Sequence, residues 1–189
     1  MFDPFGDFEA RGYLRNSEQL KDLDAVKHLE HLNFRAHLQP AMLYLQRIKG
    51  PVGYEHFLKV HEMLFRDLYE WAGQDRKQLG VGAHITKGLT DFESSERIEM
   101  AMRQAFEVGN NKAKMRAKPG YVLGMMAWAH PLLDGNGRTM LLVHTELCRR
   151  AGFAIEWTKA KSDSYLEALT DELREPDRGH LDQYLLAHT

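Results

Sequence analysis

Residues 120–148 read "GYVLGMMAWAHPLLDGNGRTMLLVHTELC", two strongly apolar runs (120–129 and 139–148) around a polar middle. Helices that are apolar on every side belong in the centre of a bundle. Pro119 stands where proline favours a first helical turn, so the sequence predicts a helix from Pro119 to Ala129. The polar middle, His130 to Arg138, then becomes a loop at one end of a core, with a second helix starting near Arg138.

The flanking segments extend the pattern. Leu23, Val26, Leu29 and Leu32 follow three-residue spacing, close to one helix face, in a helix opening at Ser17 or Asp22. Pro40 is expected to kink or restart that helix, and "RIKGPVG" at 47–53 to end it. Tyr54 to Ala72 carries a stripe of Phe57, His61, Leu64, Leu68 and Trp71, with Gly73 as the stop. Ser94 or Ser95 with Glu96 opens a further helix to about Val108. A last pair, 162–174 and 178–187, is separated by Pro176. Residues 80–92, "GVGAHITKGLTDF", break the helical trend with β-branched residues and glycines, which predicts a short hairpin. The basic run "NNKAKMRAKPG" at 110–120 reads as a solvated loop, and residues 1–16 as an irregular arm. The sum is an all-α fold: one helical domain, 1–189, with one small β excursion.

Composition narrows the function classes. With 43% apolar and 28% charged residues, the chain has a soluble globular balance. A formal net charge of -2 gives no basic field for nucleic acid. No apolar run is long enough to cross a bilayer, so no membrane partner is expected. The acidic N-terminus lacks a signal-peptide pattern and the sole cysteine, Cys148, excludes an intrachain disulfide, so a reducing cytoplasm is expected. Delivery into another cell by a dedicated secretion system would leave no such mark. Cys148 itself reads as a small apolar helix residue.

The residue types in the loop share a chemistry. The first unpaired amides and the positive dipole end of the following helix point into it. Glycines on both sides of Asn136 let successive N–H groups converge into an anion-binding nest. Arg138 adds a forked cation suited to phosphate oxygens. Asp134 beside a phosphate site is unfavourable without a cation between them, and Mg²⁺ is the natural one. Histidine, here His130, is the side chain that ordinarily exchanges a proton near neutral pH. Singly, each residue reads as architecture: "DGNG" is a common turn string, and a histidine beside proline is usually structural. Jointly, between two buried helices, they describe phosphoryl or nucleotidyl transfer.

"HPLLDGNGRT" at 130–139 resembles the active-site signature of the Fic family, His-x-Phe-x-Asp/Glu-Gly-Asn-Gly-Arg-x-x-Arg. "HEMLFRDLYEWAGQDR" at 61–76 is similar to the family's helix before the flap, and "ITKGLTDF" at 85–92 to the flap itself. "DPFGDFEARGYLRN" resembles the arm of many bacterial members. The resemblance implies a compact helical bundle with a β-hairpin flap over the active site, and transfer of AMP from ATP to a Ser, Thr or Tyr hydroxyl of a target protein. By the same resemblance His130 is the general base and Asp134 holds Mg²⁺. Asn136 and the amides of Gly135 and Gly137 cradle the phosphates, and Arg138 offsets their charge. The flap around Thr86, Lys87 and Gly88 docks the target by strand addition. Tyr165 is weighed as a base-pocket residue, with a core or surface tyrosine the preferred reading.

The sequence departs from the signature at two positions. Leu132 replaces Phe, a change of core filler. Leu141 replaces the second Arg, which in the adenylylating members helps grip the terminal phosphate; a lost charge-assisted contact costs about 1.5–3 kcal/mol. The Doc branch, which phosphorylates its targets, also lacks that arginine, but Doc-like loops read Ala-Asn-Lys where this chain has Gly135-Asn136-Gly137. The self-inhibitory helix of many relatives, Ser/Thr-x-x-x-Glu-Gly/Asn, has no good copy: "SERIEM" at 95–100 ends in Met. A separate inhibitor protein, as for the toxin of a toxin–antitoxin pair, or another form of restraint is therefore expected. Kinase chemistry, transfer of UMP or phosphocholine, and a non-catalytic nucleotide-binding module stand as the competing readings.

Overall fold

A computed structural model of the chain describes residues 7, 15–81, 84–87, 90–176 and 178–189. Eight helices follow in order among them: α1 (Leu23–Arg47), α2 (Tyr54–Phe65), α3 (Ile98–Asn110), α4 (Lys112–Ala117), α5 (Pro119–Ala129), α6 (Asn136–Ala151), α7 (Ser162–Arg174) and α8 (His180–Leu186). Between α2 and α3 lies an antiparallel hairpin of β1 (Thr86–Lys87) and β2 (Thr90–Asp91), with Thr86 opposite Asp91 and Lys87 opposite Thr90. A 3-10 turn, Ser95–Arg97, leads into α3. Most of arm 1–16 and Gly88 of the flap lie outside the described residues.

The central helix is α5, packed on α3, α6, α7 and α8. Its apolar perimeter is the reason: Val122, Leu123, Met126 and Ala129 are all buried. Polar side chains from distant elements close the helix ends. Asp182 accepts from the amides of Gly120 (2.6 Å) and Tyr121 (3.0 Å), so α8 caps the start of α5. That approach demands glycine, because a Cβ on Gly120 would lie 2.1 Å from the Asp182 nitrogen. Arg150 donates to the carbonyls of Leu45, Ile48 and Gly50 behind α1, and Arg116 to those of Ala151 and Gly152 behind α6. No helix among the described residues is long and apolar enough to cross a membrane.

Four expectations need correction. Helix α1 runs unbroken through Pro40. Pro40 and Ala36, whose carbonyl loses its partner, are both exposed, so water satisfies that group. The stripe Leu23–Val26–Leu29–Leu32 does not share one face: three-residue steps drift by about 60° each on a 3.6-residue helix, leaving Leu23 and Leu32 exposed. The buried line is Val26, Glu30, Ala41 and Leu45. Helix α2 stops at Phe65 and turns carry Leu68 and Trp71 into the core, with Gly73 at φ +83. The basic run at 110–120 is not a loop. It contains α4, capped by Asn111 Oδ1 and anchored by buried Met115.

Candidate active site

The loop between α5 and α6 gathers the candidate residues. His130 ends α5 in the left-handed region (φ 40, ψ 57), a conformation costing a non-glycine residue about 1–2 kcal/mol. Its surroundings over-determine it. Buried Arg76 donates through Nε to the His130 carbonyl (2.8 Å) and through Nη2 to those of Glu93 (2.7 Å) and Ala129 (3.3 Å). The Arg76 amide donates to the Pro131 carbonyl (2.8 Å). One guanidinium therefore ties the end of α5, the loop and the flap exit together, even though burial lowers its pKa. Phe92, immediately after β2, stacks on the His130 ring at 4.1 Å and 25°. The hairpin is thus joined to the imidazole as well as lying near it.

Asn136 sets the loop's curve from inside. Its Oδ1 accepts from the Leu132 amide (3.0 Å) and its Nδ2 donates to the Leu132 carbonyl (2.7 Å). The second Nδ2 hydrogen faces His130 Nε2 at 3.3 Å, which assigns Nε2 as the unprotonated, accepting nitrogen. The Asn136 side chain is occupied within the loop, so what it presents outward is its backbone amide. Leu132 is wholly buried as core filler, and half-buried Leu141 packs against the core from α6.

The two glycines flanking Asn136 differ. Gly135 (φ +75) caps α6, and a Cβ there would stand 2.6 Å from Phe65 and 3.1 Å from His61. Gly137 has an ordinary φ, lies exposed, and a Cβ there would meet nothing within 4 Å. The first amides of α6, from Asn136 to Arg138, have no intrahelical partner. They open beside half-exposed Asp134, whose Oδ1 accepts from the Gly135 amide.

His61 forms the floor. It is fully buried, and its Nδ1 accepts from the Gly73 amide (2.8 Å), so the ring proton sits on Nε2. Nε2 is turned toward the Asp134 backbone without closing a well-formed hydrogen bond. Burial drives the His61 pKa down to about 3, keeping the ring neutral beneath the loop. At the far side, Arg138 lies over the Phe65 ring (4.6 Å) and meets Glu30 Oε1 at 3.0 Å and Asp134 Oδ1 at 3.4 Å.

His130, Asp134 and Gly135 thus stand in the loop and Asn136, Gly137 and Arg138 in the first turn of α6, with Thr86 and Lys87 on the adjoining hairpin. Tyr165 is largely buried, edge-on to Trp157 at 5.5 Å, and its hydroxyl has no partner among the described residues. Sequence reading missed Arg76, Phe92 and Glu30 as site residues and took His61 only as a core stripe member. "SERIEM" lies before and within α3, and its Glu99 pairs with Arg103 on the surface.

A family model described as the Fic/DOC family matches residues 51–148. The chain is similar to protein adenylyltransferase VbhT of Bartonella schoenbuchensis, 29% identical over 171 residues, covering 88% of this chain and 35% of that protein. It also resembles a probable protein adenylyltransferase of Sinorhizobium fredii, 28% identical over 166 residues, covering 82% and 81%. The chain therefore spans about a third of the length of the first and most of the second. Among solved structures, the BepC protein of Bartonella tribocorum with bound AMPPNP superposes with a TM-score of 0.74 at 16% identity, covering 93% of this chain and 91% of that one.

Proposed function

The chain belongs to the Fic/DOC family, and from that premise we propose that it is a protein adenylyltransferase: it transfers AMP from ATP to a Ser, Thr or Tyr hydroxyl of a target protein. The observation that carries this reading is the pairing within one loop of an accepting His130 Nε2 with the bare amides of α6 and Arg138. His130 Nε2 takes the proton of the target hydroxyl as its oxygen attacks the α-phosphorus. The bond from that phosphorus to the β-bridging oxygen breaks, and pyrophosphate leaves. The Gly135 amide is taken by Asp134 Oδ1, so the amides at 136–138 and the Arg138 guanidinium hold phosphate charge during the exchange. Gly137, bare of any Cβ, lets phosphate oxygens approach the backbone closely.

The residues also fit a magnesium ion. Among the described residues no group of three or more His, Cys, Asp or Glu comes together. Mg²⁺ needs only one or two protein carboxylates when phosphates and water complete its octahedron, and half-exposed Asp134 meets that requirement. Bound there, the ion would neutralise phosphate charge and orient the leaving group.

In this reading residues 1–189 act as one catalytic domain, with arm 1–16, flap 80–92 and active-site loop 130–138. The target lies against the hairpin at Thr86 and Lys87 as an added strand, a docking that fixes the hydroxyl without reading much sequence. Restraint comes from a separate inhibitor protein, as for the toxin of a toxin–antitoxin pair, and the enzyme works in the cytoplasm or in a cell into which it is delivered. A second reading has one observation in its favour: Leu141 supplies no second phosphate cation, which suits γ-phosphate transfer.

Parallel incubations of wild type and His130→Ala with cell lysate, Mg²⁺ and α- or γ-labelled ATP test the proposal. Protein-bound α label is expected, with the rate reduced roughly 10²–10⁴-fold in the variant. Transfer of γ label alone replaces adenylylation with phosphorylation; transfer of neither label in any lysate reduces the site to a binding module.

A further inference from the structure

Arg138 is held by a group that lies outside the matched family segment. Glu30, on α1, precedes it by 108 residues and reaches it with a carboxylate that is only 7% exposed. Glu30 Oε1 accepts twice, from Arg138 Nη2 (3.0 Å) and from the Tyr69 hydroxyl (3.0 Å). Asp134 Oδ1 touches the same Nη2, but at 3.4 Å and with 43% of its side chain exposed. Phe65 supports the guanidinium from below. Nε and Nη1 of Arg138 have no partner among the described residues, so the anchoring uses one nitrogen and leaves the rest of the fork available.

A lone carboxylate at this depth is unfavourable. Burial and the Asp134 charge raise the Glu30 pKa, and Arg138 and Tyr69 oppose them. Replacing such a group by an apolar residue would suit the packing of α1, whose line of buried residues it interrupts between Val26 and Ala41. Its presence is accounted for by what it holds.

We propose that Glu30 is a positioning residue for phosphate recognition: clamped by Tyr69, it fixes Arg138 through Nη2 and keeps the guanidinium at the loop when Asp134 engages a cation. Of the two carboxylates on Arg138, the buried one is the permanent partner and the exposed one the exchangeable partner. The inference rests on the reading of the loop as a nucleotide site and extends that site to α1.

Calorimetric titration of ATP with Mg²⁺, and of adenosine, into wild type, Glu30→Gln, Arg138→Ala and the double variant tests it. Glutamine keeps an acceptor for Tyr69 but removes the charge. Glu30→Gln is expected to weaken ATP about tenfold while adenosine, which has no phosphate, changes by less than about twofold. In the Arg138→Ala background the same substitution should change ATP affinity no further. Equal losses for ATP and adenosine, or an undiminished loss without Arg138, overturn the positioning role. Should Glu30→Gln fail to fold, Tyr69→Phe is expected to show a smaller loss of the same phosphate-dependent kind, and its absence overturns the proposal equally. Wild type that binds no ATP removes both this inference and the proposed function. Wild type that binds ATP with the predicted coupling but passes on only γ label removes adenylyl transfer and leaves the role of Glu30 standing.

Discussion

His130 and Arg138 stand at opposite ends of one loop, and they are held by unlike forces. At the His130 end the constraints are backbone carbonyls gripped by Arg76, a left-handed residue and an aromatic stack from the hairpin. At the Arg138 end they are charges, two carboxylates sharing one nitrogen above an aromatic face. A proton acceptor has to keep one orientation toward one atom, which directional hydrogen bonds to fixed carbonyls provide. A phosphate grip has to exchange partners as a multiply charged ligand arrives, and ion pairs of unequal burial do that. The His130 end is set by geometry and the Arg138 end by charge balance.

The strongest test of this contrast is Arg76→Met. It strips three carbonyls of their guanidinium donor, and orphaned buried acceptors cost about 1–3 kcal/mol each, so unfolding free energy should drop by roughly 3–5 kcal/mol. Urea denaturation measures this; a drop under about 1 kcal/mol would mean that the His130 end is held by something else.

Acid should come next, acting on His61 beneath the loop and on His144, which meets the Pro119 carbonyl at the start of α5. His61 and His144 are fully buried, with pKa values pushed down to about 3 and about 4 from an ordinary 6.5. Because the folded values lie below the unfolded ones, their contribution is complete above about pH 6.5 and is lost as pH falls toward the folded values. Each histidine then removes up to about 1.4 kcal/mol per pH unit. Glu146, lowered by its arginine partners, adds to the loss at the acid end, whereas Glu30 and Asp182, raised mainly by burial, oppose it. Melting temperature followed from pH 7 to 4.5 should decline steadily, and a flat profile would contradict the burial of these two histidines as neutral rings.

The smallest effects separate the two glycines. Gly135→Ala meets Phe65 and His61 at a positive φ and should destabilise by about 2–3 kcal/mol. Gly137→Ala should change stability by less than about 0.5 kcal/mol yet weaken ATP binding, since its Cβ enters space the fold leaves open. Undiminished ATP affinity in Gly137→Ala would show that the phosphates do not approach that backbone.

Much of this was legible in the sequence where one residue's chemistry or period is decisive. The bounds of α5 follow from Pro119 and an unbroken apolar run, and the loop residues declare a shared affinity for phosphate. What stayed hidden depends on partners far away in the chain. Arg76 acts on backbone carbonyls, and carbonyls are the same in every sequence. Glu30 reads as a solvent-facing acid until α1 is rotated so that Val26 and Glu30, four apart, share the buried side. Phe92 is visible as part of the flap, but its stack on His130 depends on the hairpin register. In 110–120, buried Met115 and the Asn111 cap outweigh a composition that looks like loop.

Asp182 reaches the start of α5 from the last helix, and α5 ends in His130. The two ends of that one rod are therefore completed at very different moments of synthesis. A nascent chain that has not yet delivered Leu181 and Asp182 carries every residue of the loop but leaves the N-terminal amides of the central helix open, and the close seat at Gly120 empty. The start of the rod that carries the base is thus closed by the last of the described helices to be synthesised, whereas the residues that hold the base itself, Arg76, Phe92 and Asn136, all precede it.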